Sequence, residues 1–230
     1  DTSFTPYYLR VDGELLTEAP DEDSPPSNFT YDPADPVPTV GGGISAADPI
    51  MSPGGFDQRG GPRFFGCKDQ LPLNSRSDVV TFQTEPLGSD TEITGPIIMK
   101  LYAASSAADT DFTAKLVDVF PPSVDYPEGH AINLTDSIIR ARYRNGFDQP
   151  ELLEPGVVYE FNFELYPTSN IFRSGHRIRL DISSSNFPRF DVNPNTGGPL
   201  GQDRRTLIAQ QVIYHDAGHP SQIVLPVIER

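Results

Sequence analysis

Four histidines, His130, His176, His215 and His219, are the side chains best suited to act as a general base near neutral pH. Serine hydrolysis would need one of them to converge with a nucleophile and a carboxylate within hydrogen-bond reach. Ser184, Asp181 and His176 lie close in sequence, but on one short alternating segment where His176 and Asp181 point to opposite faces. The Gly-x-Ser-x-Gly turn that presents a nucleophilic serine is absent. His215 and His219 are four apart, yet Asp216-Ala217-Gly218 between them is turn-like and does not give the helical His-x-x-x-His spacing of a zinc hydrolase. Surface turns are the expected setting for His215 and His219. Asp109, Asp111 and Asp118 bracket a strand and could offer hard oxygen ligands to Ca²⁺, but no twelve-residue loop of the EF-hand pattern contains them. Loop amides and arginines are their expected partners. Cys67 is the single cysteine, so neither an intrachain disulfide nor a cysteine-based zinc site can form. No catalytic residue, metal site or cofactor is predicted. The segment from Ser183 to Gly198, rich in Asn, Ser and Pro, reads as a rigid polar loop that either meets a ligand or braces the chain against another domain.

The elements that would position these residues are strands. Ile97, Met99, Leu101 and Ala103 share one face. Tyr159, Phe161, Phe163 and Leu165 alternate with Glu160, Asn162 and Glu164. Ile178, Leu180 and Ile182 alternate with Arg177, Arg179 and Asp181. Val80 and Phe82, the run 210–214, and Ile223, Leu225 and Val227 behave likewise. Such period-2 patterning fits half-buried strands and no helix. Phe112 to Phe120 reads as apolar on both faces, as in a central strand. Ile139, Ala141 and Tyr143, alternating with Arg140, Arg142 and Arg144, read as a further strand. Turn signals such as Pro121-Pro122, Glu154-Pro155-Gly156 and Ser174-Gly175 separate the runs. The fold class is therefore all-β, a two-sheet β-sandwich of jelly-roll, galactose-binding-like type.

Residues 1–77 differ. They hold much of the chain's stock of 24 prolines and 19 glycines, but also regularly placed aromatics: Phe4, Tyr7, Tyr8, Phe29, Tyr31, Phe56, Phe64 and Phe65. Disordered leaders are poor in aromatics. The expectation is an ordered, loop-rich arm over 1–77 that wraps a sandwich of residues 78–230 and belongs to the same domain. Tyr7 to Thr17 forms a small hairpin around Asp12-Gly13, and further anchors lie at 28–40 and 62–82. The 230 residues carry a formal net charge of −15, which argues against nucleic-acid and anionic-membrane partners. No apolar run reaches the ~18–20 residues of a membrane span, and Asp1 to Tyr8 shows neither a signal peptide nor an initiator methionine. A soluble, cytoplasmic chain that is a fragment or a processed product is expected.

Several longer motifs occur in order along the chain: Tyr31-Asp32-Pro33-Ala34-Asp35-Pro36-Val37-Pro38, Asp57-Gln58-Arg59, the run from Ala108 to Val119, Arg140-Ala141-Arg142-Tyr143-Arg144, Ser174-Gly175-His176-Arg177-Ile178, Ser183 to Pro188, Asn195-Thr196-Gly197-Gly198 and His219-Pro220-Ser221. Together they resemble the C-terminal, non-catalytic domain of CocE/NonD-type serine hydrolases, the X-Pro dipeptidyl-peptidase C-terminal domain. That group takes in cocaine esterases, α-amino-acid ester hydrolases and glutaryl-cephalosporin acylases. The resemblance implies that the Ser, Asp and His of catalysis lie on an α/β-hydrolase domain of the same parent chain, which is the expected partner. It implies a jelly roll that packs on that domain and stabilises it, and a loop that helps wall the acyl pocket. By position, between Val37-Pro38 and Asp57-Gln58-Arg59, that loop is Gly41 to Phe56, with Ile44, Ile50, Met51 and Phe56 as its apolar candidates. The contrasting possibility is a free-standing carbohydrate-binding module using Tyr7, Tyr8 and Tyr126 as stacking platforms. The absence of tryptophan weakens it.

Overall fold

The computed structural model describes residues 1–43, 48 and 50–229. Its strands are β1 (Thr2–Leu9), β2 (Leu15–Leu16), β3 (Ser27–Tyr31), β4 (Val80–Gln83), β5 (Thr91–Ser105), β6 (Asp111–Phe120), β7 (His130–Arg140), β8 (Tyr159–Phe172), β9 (Arg177–Ser183), β10 (Ala209–Tyr214) and β11 (Gln222–Ile228). They form two sheets. The larger runs β2-β1-β11-β5-β10-β3, with β8 on the other side of β5, and the smaller runs β4-β9-β6-β7. The chain is thus an all-β, two-sheet sandwich.

The larger sheet divides at β5. One edge of β5 pairs β8 from Thr91 to Ala103, while the other is shared by β11 along its first part and β10 at its end. Two prolines mark where the pairing must give. A proline cannot donate to a ladder, and the registers of β11 and β8 against β5 slip at Pro226 and around Pro96. Gly95 lies at the same place with φ +136°, and a side chain there would press on the Pro226 ring. Pro6 is accommodated because β2 pairs only Tyr8 and Leu9, leaving that edge of β1 open.

The core lies between the sheets. Leu9, Ile93, Ile97, Met99, Leu101, Phe161 and Leu165 from the larger sheet meet Phe82, Phe112, Ala114, Leu116, Ile178, Leu180 and Ile182 from the smaller. Phe112 packs against Phe161 with ring centroids 5.0 Å apart. Each of these side chains except Ala114 contributes roughly 1.5–3 kcal/mol of burial. Early residues take part in the pairing: β1 lies beside β11, and β3 beside β10.

Three sequence readings are corrected. The Arg140–Arg144 run is not a strand: β7 ends at Arg140, and residues 141–143 form a 3₁₀ turn. The reason is that β6 begins at Asp111, opposite Arg140, so the ladder has no further rung. Ala141 N–H goes to Thr110 O at 2.8 Å and Arg144 N–H closes the turn on Ala141 O. His215 is not on a surface turn but buried. Its ring stands between two hydroxyls, Ser24 Oγ at 3.2 Å from Nδ1 and Ser27 Oγ at 3.1 Å from Nε2, with its edge toward Phe82. Tyr7 is buried in the core and offers no stacking platform.

Candidate functional site: the 41–56 loop and the charged layer beneath it

Strand β6 is central in the smaller sheet, and nearly all of its residues are buried. Its inner face is apolar from Phe112 to Leu116 and then turns Asp118 toward Asn170 of β8. Its outer face carries Thr113 and Lys115, and these are buried too. The register sets a polar row across the sheet: Thr81 on β4 opposite Asp181 on β9, Asp181 opposite Lys115 on β6, and Lys115 opposite Asp136 on β7. Each member has polar company. Thr81 Oγ1 donates to Asp181 at 3.0 Å, and Arg179 pairs with the same carboxylate at 3.0 Å. Arg189 pairs with Asp136 at 2.6 Å, and Asn186 Nδ2 donates to Asp136 at 3.1 Å. Burial pushes the Lys115 ammonium down from its ordinary value, against the pull of Asp136 and Asp181. Charges can be enclosed in this way when they are paired and hydrogen-bonded.

What encloses them is the chain between β3 and β4. Val37 N–H donates to Ser185 Oγ, Thr39 N–H to Phe187 O, Gln58 N–H to Ala131 O and Leu73 N–H to Gln58 O. Val37, Leu73 and Val79 close over Thr113, Lys115 and Asp181, leaving a cavity of about 10 Å³, roughly the space of one water molecule. Out of this cover rises the 41–56 loop, and its neck is pinned twice. Gly42 and Gly54 exchange backbone hydrogen bonds of 2.7 and 3.0 Å. Gly41 has φ +64°, and any side chain there would collide with the Gly54 carbonyl and the Phe56 ring, so glycine is required.

Of the four apolar residues predicted for the loop, Ile44 lies outside the described residues. Ile50 is 61% exposed, whereas Met51 and Phe56 are half-buried. Phe56 meets the edge of Phe64 at 5.3 Å, and the Arg63 guanidinium stands 4.5 Å from its ring centroid. Arg63 also donates to Ser52 Oγ at 3.1 Å and pairs with Asp48, to which Ser52 is bonded as well. The loop is therefore tied to residues 63–64, with Ile50 facing outward. Sequence reading missed Gln58 and Lys115 as a unit. They are far apart in the chain, and a lysine within a β-run signals nothing by itself.

The other chemistry-bearing residues are occupied structurally. His176 Nδ1 lies 2.8 Å from Asp118, and its ring packs on Phe120 at 4.2 Å. Ser184 accepts from Gln211, and Asp181 belongs to the outer layer, so the three residues do not converge. Arg140 grips Asp111 through two bonds of 2.9 and 3.0 Å, and Arg142 pairs with Asp109 at 2.8 Å. Asn193 Nδ2 bridges both carboxylates at 3.0 and 2.8 Å, which is how the Ser183–Gly198 segment is fastened to the sandwich. Burial pushes the Asp111 carboxyl up, against the Arg140 hydrogen bonds. No group of three or more His, Cys, Asp or Glu suited to a metal ion occurs among the described residues. No helix among them is long and apolar enough to cross a membrane.

In this two-sheet β-sandwich His176, His215, Asp109, Asp111, Asp118, Asp136 and Asp181 are all held in structural hydrogen bonds or ion pairs. Residues 2–224 match the family described as the X-Pro dipeptidyl-peptidase C-terminal non-catalytic domain, and the chain belongs to it. It is 40% identical to a cocaine esterase of Rhodococcus sp. over 240 aligned positions, which takes in all of this chain and 38% of the esterase. Among solved structures it is similar to an α-amino acid ester hydrolase, with a TM-score of 0.82, 31% identity, and coverage of 98% of this chain and 36% of the other. It is also similar to an aminopeptidase from a marine sediment Thaumarchaeota archaeon, with a TM-score of 0.83, 29% identity, and coverage of 99% and 37%. The chain thus spans little more than a third of the length of these relatives. It is a C-terminal non-catalytic domain of the CocE/NonD hydrolase type.

Proposed function

We propose that this domain serves a serine hydrolase of esterase, acylase or X-Pro dipeptidyl-peptidase type. It stabilises the α/β-hydrolase domain of the same parent chain, and its 41–56 loop helps wall the acyl pocket. The parent reaction is acyl transfer to water through a serine ester, with the nucleophile, base and acid supplied by the partner domain. The observation that carries this reading is the loop itself: an outward apolar residue, Ile50, on a loop closed at its neck by Gly42 and Gly54 and fixed at Phe56. Apolar side chains held at a fixed height above a sandwich are suited to line part of an apolar pocket.

Two assays test it. The 230-residue chain alone is expected to leave p-nitrophenyl esters intact. Turnover that survives repurification and is abolished by a serine-directed inhibitor would overturn the non-catalytic role. In the longer hydrolase chain, Phe56→Ala is expected to change the ratio of kcat/KM for bulky-acyl over acetyl esters by about tenfold, the scale of losing a large apolar contact. An unchanged ratio would remove the loop from the pocket.

A further inference from the structure

We infer that Lys115 and Gln58 are positioning residues for the 41–56 loop, a clamp through which the interior of the sandwich sets where the loop's apolar side chains stand. The inference rests on the reading that this loop walls the acyl pocket, and it adds the element that fixes the wall.

Gln58 is 1% exposed and sits just past the loop. Its Nε2 donates to Val40 O at 2.9 Å and to Phe56 O at 3.0 Å, the carbonyls on the two sides of the loop's base. Its Oε1 accepts from Lys115 Nζ at 3.0 Å. A primary amide has two N–H donors and a carbonyl oxygen, an ammonium can only donate, and a backbone carbonyl can only accept. The bonds therefore run in one direction, from ammonium to amide to the two carbonyls, and flipping the amide would set donor against donor and acceptor against acceptor. Lys115 is itself fixed. It lies in the central strand of the smaller sheet, with Asp136 and Asp181 as its cross-strand neighbours. The Gly42–Gly54 pair closes the neck just beyond the carbonyls that Gln58 holds. The backbone contacts of the cover would fasten it whatever stood at position 58. Among the described residues, this amide alone joins both sides of the loop to one buried charge.

Gln58→Glu is the informative variant. It keeps the shape and still partners Lys115, but it turns a carboxylate oxygen toward two carbonyls. Amide hydrogen exchange on the 230-residue chain reads the result. The Gly42 and Gly54 amides are expected to exchange about tenfold faster, the scale of one lost hydrogen bond, while Leu116 and Leu180 amides in the sheet below keep wild-type rates. Lys115→Met, which strands the Gln58 oxygen, is expected to act in the same direction. Unchanged Gly42 and Gly54 exchange in both variants would overturn the clamp. So would acceleration of Leu116 and Leu180 in step with them, because that is a loss of general stability.

In the longer hydrolase chain, Gln58→Glu is expected to move the bulky-to-acetyl ratio of kcat/KM in the same direction as Phe56→Ala, mainly through KM. If Phe56→Ala moves the ratio and Gln58→Glu does not, the clamp fails and the pocket reading stands. If Phe56→Ala leaves the ratio unmoved, the pocket reading fails, and the exchange rates alone decide whether the clamp holds the loop.

Discussion

Arg140→Met isolates the energetics of the buried acid–arginine cluster at the start of β6. Arg140 gives Asp111 two hydrogen bonds of 2.9 and 3.0 Å, and Asp111 is 1% exposed. Methionine keeps much of the aliphatic stem and removes the guanidinium. The carboxylate is then left with Asn193 Nδ2 at 2.8 Å. Breaking a buried pair from one side costs about 3–5 kcal/mol, most of it the stranded charge. In a chain of this size each kcal/mol moves Tm by about 2–4 °C, so the variant is expected to melt about 6–20 °C below wild type. The pH dependence has a definite sign. Burial already holds the Asp111 carboxyl above its ordinary value, and removing Arg140 takes away the main opposing contact. A carboxyl raised in the folded state contributes stability in full below its unfolded value of about 3.9, and loses it as pH rises through the folded value. The deficit of Arg140→Met is therefore expected to grow as pH rises above the unfolded value of about 3.9. Adding Asp111→Asn should restore part of it, because no charge is then stranded. Melting followed by far-UV circular dichroism measures all three chains. A Tm loss below about 3 °C, or no recovery on adding Asp111→Asn, would refute the reasoning.

Other outcomes follow from the same physical rules. Burial holds His215 below its ordinary value, so its neutral ring contributes stability that is present above the unfolded value of about 6.5 and lost as pH falls through the folded one. His215→Gln is expected to flatten the Tm-against-pH curve between about pH 7 and 5, and a curve parallel to wild type would contradict this. The Tyr102 hydroxyl, with Asn162 and Lys100, holds the Glu160 carboxyl down at about 2. Carbon NMR is expected to find that midpoint and to see it rise in Tyr102→Phe; a wild-type midpoint above about 4 would rule the arrangement out. If 1–77 and 78–230 are one domain, the amides of β1 and β3 should exchange as slowly as those of β11, while residues 18–26 exchange fast. Two separate melting transitions would divide the chain.

The larger part of the fold was legible because inner-face residues alternate with period 2, and no helix could bury Ile97, Met99 and Leu101 together. What escaped had partners far away in sequence. Nothing local tells Thr2–Leu9 that it will pair with Gln222–Ile228. Strand β7 was hidden for a different reason: its outward residues Asn133 and Asp136 are polar yet buried, and Thr135, which faces the other sheet, is polar as well, so the pattern of a half-solvated strand is missing. The Arg140–Arg144 run shows the opposite error. Its alternation is genuine, but Arg140 and Arg142 share a side in order to reach Asp111 and Asp109, and the backbone beyond Arg140 has no strand to pair with. His215 misled because the Asp216-Ala217-Gly218 turn follows it directly, while the serines that enclose it come from residues 24 and 27.

The two faces of the smaller sheet divide the work between stability and position. The inner face is mostly apolar, with Asp118 and Thr135 as buried exceptions bonded to β8, and apolar contact is non-directional: it rewards burial but specifies geometry only through shape. The outer face could have been solvated, as one side of an antiparallel sheet commonly is. It is instead covered by an irregular segment over a row of charges whose desolvation an apolar layer of equal volume would avoid. Ion pairs and amide bonds accept only matching partners at set distances. In the seating of the segment above Lys115, Asp136 and Asp181, Gln58 stands over the ammonium and the loop's two sides rest on the Gln58 amide. A domain that needed only to be stable would gain little from this layer. On the proposed role, in which the domain places a few apolar side chains at its partner's acyl pocket, one position must be fixed.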